Sequence, residues 1–391
     1  MMDYKALQDI YELDVYPKRD VVLIKGKNAH VWDNQGRVYI DCTAGHGVAS
    51  IGHCNEQVTQ AIAAQARMLI TCSGIFYNDK RALLMKKLVE IAPGNLKKVF
   101  LCNSGTEAIE AAIKFARYAT KKEKFVCATR GFHGRTMGAL SATHQPEYRK
   151  DFEPLVPGFS FVPFNNFDKL EQAVDDKTAG ILLEVVQGEG GVHIGKPDYF
   201  EKVRRLCDER NILLIVDEVQ TGFCRTGRMF ACQHFHIRPD ILCLAKAIAG
   251  GVPMGAVLCT EKIHILSGKH GSTFGGNPLS CAAAIAAIDF MIENRLDHEA
   301  EAKGKYLVER LDPKASVIRE IRHFGLMVGI ELKAKVKPYI LKLLEKGVLV
   351  LPAGSTVLRL LPPLTITYED LDTVAEKIND VLRSQSIETH E

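Results

Sequence analysis

No apolar run in this chain approaches the roughly 18 residues that cross a membrane. The opening stretch, Met1-Met-Asp-Tyr-Lys-Ala-Leu-Gln-Asp-Ile, has none of the apolar centre of a secretory signal. Charge of one sign is lacking as well. Fifty basic residues against 47 acidic ones leave a net +3, which gives no field for nucleic acid or an anionic membrane. The 11 cysteines lack any Cys-x-x-Cys spacing, are odd in number and lie mostly inside apolar runs such as Val99-Phe-Leu-Cys102. Neither a disulfide framework nor a zinc site is expected, and free buried thiols in the reducing cytoplasm fit the pattern. There is no Gly-x-Ser-x-Gly elbow, no Walker loop and no His-Glu-x-x-His. His234-Phe-His236 has no third metal ligand, and Gly45-His-Gly47 with Gly52 has the wrong spacing for a dinucleotide loop. No internal repeat or low-complexity stretch occurs.

What is present is an ordinary globular composition over 391 residues, enough for a large core and two domains. From about residue 55, short apolar runs alternate with patterns of helical period. The expected strands are 97–103, 124–130, 159–164, 180–186, 212–219, 241–247 and 255–260. Between several of them lie helices, with Ala108, Ile109, Ala112, Ile113 and Ala116 on one face of the first and Phe200, Val203, Leu206 and Cys207 on one face of another. This predicts an α/β fold, a mostly parallel seven-stranded sheet covered by helices. A long helix from Leu279 leads into a second small α/β unit of strand (321–332), helix (338–346), further strands and a last helix from Tyr368. The expected division is 1–54 as the first piece of the small domain, 55–279 as the large domain, and 280–391 as linking helix and remaining small domain.

Ligands of parallel sheets bind past the carboxyl ends of the strands, and the unusual residues of this chain fall there. Lys246 ends the apolar run Ile241-Leu-Cys-Leu-Ala and is followed by Gly250-Gly251. A buried lysine loses its proton readily and becomes a nucleophile suited to a Schiff base. Taken alone, it reads more readily as a strand-end lysine reaching to solvent. Asp217 ends a second apolar run, Ile212-Leu-Leu-Ile-Val, and an amine paired with such a carboxylate is what pyridoxal phosphate requires. Asn103-Ser-Gly-Thr-Glu follows a strand and opens a helix, which makes either an anion site or a plain N-cap. Gly131-Phe-His-Gly-Arg135 offers an aromatic for stacking and a guanidinium for a carboxylate, or a surface turn. Glu184-Val-Val-Gln-Gly-Glu189-Gly-Gly is a glycine-rich loop with a carboxylate at its tip, or a charged loop and no more. The convergence of these loops on one sheet edge carries more than any of them does singly.

With these residues in place, the chain resembles the fold-type I, class III pyridoxal-phosphate aminotransferases, and among them the acetylornithine group. The resemblance runs from the Pro17 region through Ile51-Gly-His-Cys-Asn to Arg359. It is most specific in Asn103-Ser-Gly-Thr-Glu-Ala, Phe132-His-Gly-Arg-Thr, Gln187-Gly-Glu-Gly-Gly, Asp217-Glu-Val-Gln-Thr-Gly-Phe, Ala245-Lys-Ala and His270-Gly-Ser-Thr-Phe-Gly-Gly-Asn-Pro. It implies that Lys246 joins the cofactor covalently and that Asp217 keeps its pyridine nitrogen protonated. Val219 and Phe132 sandwich the ring, and Gln220 bonds its hydroxyl. Gly105 and Thr106 hold the phosphate, with Ser104 and Glu218 also among the cofactor-binding residues. Thr273 reaches the cofactor of a second subunit, so a homodimer with shared sites is expected. Arg135, with Ser272 nearby, takes the substrate's far carboxylate. Glu189 and Arg359 form a switchable pair that separates the two half-reactions, Glu189 swinging on a flexible glycine loop.

The resemblance also bears on the substrate. Ornithine aminotransferases carry Trp at the position of His133, Ala at Gly190, and tyrosines at Val15 and His46 that hold a free amino end. Their absence implies an acylated amine, although His46 replaces the usual apolar residue, and Val185 a usual proline. The expected reaction is N2-acetylornithine plus 2-oxoglutarate giving N-acetylglutamate 5-semialdehyde plus glutamate, a step of arginine biosynthesis. The alternatives are a lysine-pathway enzyme for acetylated or carrier-linked lysine and an ornithine or 4-aminobutyrate aminotransferase. More distant is an aminomutase or decarboxylase.

Overall fold

The computed structural model describes residues 2–384. Its centre is a seven-stranded sheet in the spatial order Leu96–Cys102, Gly255–Thr260, Ile241–Leu244, Leu213–Asp217, Thr178–Glu184, Lys124–Ala128, Phe159–Val162. Gly255–Thr260 runs antiparallel to both of its neighbours, and the strands from Ile241–Leu244 to Phe159–Val162 pair in parallel. The unbroken apolar runs follow from burial on both faces. Leu214 and Val216 enter the core on one side and Leu213 and Ile215 the core on the other; Leu242 and Leu244 oppose Ile241 and Cys243 in the same way.

Helices cover both faces. Gly105–Thr120 buries Ala108, Ile109, Ala111, Ala112, Ile113, Phe115 and Ala116, and ends where Lys121 turns left-handed. Pro197–Arg210 buries Tyr199, Phe200, Val203, Leu206 and Cys207 and is stopped by left-handed Asn211. The long helix Pro278–Glu293 starts at Asn277, whose side-chain oxygen accepts from Ser280 N at 2.8 Å.

Both ends of the chain meet beside this sheet. Leu23–Lys27, His30–Asp33 and Val38–Asp41 form an antiparallel meander, and Val348–Leu349 adds to it in parallel. The tight connection at Asn28 (φ 51°) sets the register of the first of these strands, pairing Lys27 with His30. A second four-stranded sheet runs Ile318–Phe324, Met327–Leu332, Val357–Leu360, Leu351–Ala353. The segment expected as one strand over 321–332 is therefore a hairpin, folded back at Gly325 with φ 54°. This sheet carries Arg359 to the carboxyl edge of the large one.

Candidate active site

Five parallel-running strands of the large sheet end at one edge, and the loops leaving them line a cavity of about 350 Å³. Ser104, Gly105 and Thr106 follow the first strand; Phe132, His133 and Gly134 follow the second. Glu184 and Glu189 come from the third, Asp217, Val219 and Gln220 from the fourth, and Ala245 and Lys246 from the fifth.

Lys246 is half-buried and sits at φ 47°, a left-handed conformation uncommon for a side-chain-bearing residue. Burial pushes its amine below the usual lysine range; the carboxylates of Glu189, Asp217 and Glu184 pull it back, and Arg359 lowers it again. Asp217 is 5% exposed. One carboxylate oxygen meets His133 Nδ1 at 2.7 Å, and the other accepts from Val219 N at 2.9 Å. His133 is itself buried, its backbone N donates to Thr143 Oγ1, and its Nε2 has no partner among the described residues. From sequence, His133 served only to mark substrate preference. Its partnership with Asp217 depends on sheet order, because the Thr178–Glu184 strand lies between the two strands that carry them.

The sequence alone assigns Glu184 no role either. Its carboxyl accepts from Phe132 N at 3.0 Å and from Gly188 N at 3.1 Å, tying two site loops together. Its pKa is pushed up to about 7, chiefly by burial, with His133 opposing and Asp217 adding to the rise. The folded protein thus holds a proton over a pH range in which the unfolded chain has released it. Thermal stability of the cofactor-free enzyme is expected to fall as pH rises from the ordinary carboxylate range to about 7. Glu184→Gln should remove that slope, as melting temperatures between pH 5 and 8 would show, even though the amide satisfies only one of the two N–H groups.

The helix Gly105–Thr120 points its N-terminus into the cavity. Ser104 Oγ accepts from Glu107 N at 3.3 Å and donates to Glu107 Oε2 at 2.9 Å, while Asn103 N and Nδ2 donate to the same carboxylate. Ser104 and Glu107 are thus committed to capping, and the first-turn N–H groups at Gly105 and Thr106 have no carbonyl within the helix to bond. A Cβ at Gly105 would come within 2.7 Å of Val219 Cγ1, so glycine is what lets this turn pack against that side chain. Glu218, expected beside the cofactor, faces the other way. Alternation along the strand sends it to Ala231 N, Cys232 N and Thr221 Oγ1, at 2.7–2.8 Å.

Glu189 Oε1 lies 2.7 Å from Arg359 Nη2, and Arg359 Nη1 donates to Gln220 Oε1 at 3.0 Å. Arg359 is 1% exposed. Burial raises the Glu189 pKa, but Arg359, with Lys246 and His46, outweighs it, so the carboxyl is held below its usual value. The other expected residues stand further out. Arg135 is exposed and lies over Tyr148, 4.0 Å from the ring centre, with Phe132 next to it. Ser272 Oγ accepts from Asn103 Nδ2 at 3.2 Å, whereas Thr273 is exposed and does not line the cavity. Val15 and His46 are exposed as well.

A family profile described as "Aminotransferase class-III" matches residues 15–382. The chain is a class III aminotransferase. It is 46% identical to the acetylornithine aminotransferase of Methanocaldococcus jannaschii, over 96% of this chain and 96% of that one. It is also 46% identical to the [LysW]-aminoadipate semialdehyde transaminase of Deinococcus radiodurans, over 97% of this chain and 90% of that one. Among solved structures, the ornithine aminotransferase of Toxoplasma gondii superposes with a TM-score of 0.92 at 35% identity, covering 97% of this chain and 94% of that one. The α/β architecture of this aminotransferase is accordingly that of the fold-type I pyridoxal-phosphate enzymes, and its cofactor is pyridoxal phosphate. The cavity fits that group. It offers a deprotonation-prone amine, a buried carboxylate, and a helix N-terminus able to take a phosphate. Among the described residues, no helix is long and apolar enough to cross a membrane, and no cluster of His, Cys, Asp or Glu is arranged for a metal.

Proposed function

We propose that this aminotransferase moves the terminal amino group of N2-acetylornithine to 2-oxoglutarate, yielding N-acetylglutamate 5-semialdehyde and glutamate, as a step of arginine biosynthesis. The observation that carries the reading is the Glu189–Arg359 pair at 2.7 Å in the cavity that holds Lys246. Glutamate reacts at a carbon bearing a carboxylate; the terminal carbon of acetylornithine bears none. An arginine reserved for that carboxylate would stand unpaired in a half-dry site while acetylornithine reacts, at a high desolvation cost. Glu189 neutralises it in one half-reaction and yields it in the other.

When bound, pyridoxal phosphate supplies an aldehyde that condenses with amines and a ring that accepts electron density. The protein does the rest. Lys246 would hold the group covalently, and its amine would carry a proton to and from the reacting carbon. Asp217, steadied by His133 and Val219 N, would hold the pyridine nitrogen protonated. Gly105 and Thr106 would take the phosphate, Val219 and Phe132 would hold the ring, and Gln220 would bond its hydroxyl. Arg135 grips the donor's far carboxylate, so that the terminal amine meets the cofactor.

Glu189→Ala should leave Arg359 open in both half-reactions. Single-turnover rates are expected to shift toward glutamate relative to acetylornithine, roughly tenfold. An unmoved ratio would remove the gate and with it the two-substrate argument. The donor itself is settled by measuring turnover with acetylornithine, ornithine, acetyllysine, a carrier-linked lysine and 4-aminobutyrate. Preference for the carrier-linked amine would support the second reading, which the equal identity to the Deinococcus transaminase favours.

Two further parts of the proposal concern context. A homodimer with shared sites is supported by the exposed apolar stretch 68–77, with Met68, Ile75, Phe76 and Tyr77 all outward, and by the exposure of Phe274 and Thr273. A cytoplasmic setting is supported by eleven free cysteines, all buried except Cys54 and Cys72.

A further inference from the structure

The loop that carries Glu189 is not the pliable segment its glycines suggest. It closes the short hairpin Val186–Gln187 / His193–Ile194, and both of its ends are pinned. On the near side, Gly188 N donates to Glu184 at 3.1 Å and Gln187 Nε2 donates to Thr129 O at 2.8 Å. The glycines serve close packing: a Cβ at Gly188 would run into Gln220 Oε1, and one at Gly190 would come within 2.7 Å of Arg130 O.

On the far side stands Arg322, on the strand Ile318–Phe324 of the other sheet. Its Nε and Nη2 both donate to the single carbonyl of Gly191, at 3.1 and 2.8 Å. Its Nη1 donates to Glu331 at 2.6 Å and also bonds Glu320, so the fork is aimed before it reaches the loop. The next residue, Val192, is fully buried at φ 59°, an outlier conformation for a β-branched side chain. Such a backbone persists only where its surroundings impose it. Gly329 makes the room, since a Cβ there would stand 2.9 Å from Val192 Cβ. Two guanidinium hydrogen bonds on a carbonyl one residue before a strained valine are a fixed post.

We propose that Arg322, oriented by Glu331, is a positioning residue for the Glu189 gate. It fixes the Gly191 end of the loop, so that Glu189 leaves and regains Arg359 by rotating its side chain over an immobile backbone. The inference rests on the gate reading given above and adds to it the residue that sets the gate's closed position. Loosening the post lets Glu189 drift from Arg359, which opens the arginine too often and biases the enzyme toward glutamate.

The test is a double-mutant cycle on the holoenzyme, reading the ratio of the glutamate and acetylornithine single-turnover rates. Arg322→Lys, which keeps the charge but loses the two-pronged hold on Gly191, should move that ratio toward glutamate by roughly fivefold, with the cofactor's visible absorption unchanged. Glu331→Gln, which leaves Arg322 in place but less firmly aimed, should move it the same way by less. Combined with Glu189→Ala, neither change should add anything, because the post has no gate left to hold. A ratio unmoved by Arg322→Lys while Glu189→Ala moves it overturns the role of Arg322 and leaves the gate standing. Additive shifts in the double variant overturn it too, since a general loosening of the fold would act with or without Glu189. If Glu189→Ala itself changes nothing, the gate falls, and the post with it.

Discussion

Replacing Lys246 with alanine is expected to cost more than the ~10²–10⁴-fold that a single acid–base group contributes. The side chain is asked to do two things that no neighbour can take over. In the proposed reaction it would anchor the cofactor and carry the proton that leaves one carbon and arrives at another. Its setting prepares it for both. Burial lowers the amine's affinity for a proton, and the surrounding carboxylates of Glu189, Asp217 and Glu184 oppose the fall. The left-handed backbone at φ 47° turns the side chain out of the strand line and into the cavity. Lys246→Arg should be nearly as damaging, because a guanidinium stays protonated and cannot act as a base. Two measurements decide the matter: single-turnover rates, and borohydride treatment followed by peptide mass analysis, which should find the cofactor's mass on Lys246. Wild-type turnover in Lys246→Ala would remove the assignment.

Much of this site could be read along the chain, and what could not has a physical reason. Two-faced apolar strands announce a covered parallel sheet, and a charged residue at the end of such a strand is conspicuous because nothing else there is polar. Lys246 and Asp217 stand out in this way. Glu218 does not follow, since one step along a strand reverses the side chain, and the structure sends it to the backbone of Ala231 and Cys232. His133, Glu184 and Arg322 bond groups carried by other segments of the fold, and the sheet order that brings them together is nowhere written locally. Arg359 lies within Val357-Leu-Arg-Leu-Leu, which by itself reads as an apolar strand; only resemblance marked it. The apolar stretch 321–332 hid a hairpin, although twelve residues is long for one strand and Gly325 stood in the middle. The glycines at 188 and 190 invited a reading of flexibility. Composition does not distinguish a glycine that bends from one that makes room, and both of these make room.

Asp217→Asn is expected to lower the rate of both half-reactions by about 10²–10³-fold, the scale of losing one aligned electrostatic partner in a dry site. The substitution keeps the shape. An amide oxygen could still accept from Val219 N, now at 2.9 Å, and the His133 ring could remain in place. What disappears is a full negative charge at a position 5% exposed to solvent, where water screens little of it. In the proposed reaction Asp217 would hold the pyridine nitrogen protonated, as the electron-accepting chemistry of the cofactor requires. Donor and acceptor half-reactions share this demand, so both should slow alike. That separates Asp217 from the Glu189 gate, which should alter the ratio of the two. The expected signature is a uniform loss of rate with the glutamate-to-acetylornithine ratio within about twofold of wild type, and with the cofactor still trapped on Lys246 by borohydride. A loss confined to one half-reaction would place Asp217 in substrate selection and leave the buried His133–Asp217 pair without a role in the chemistry.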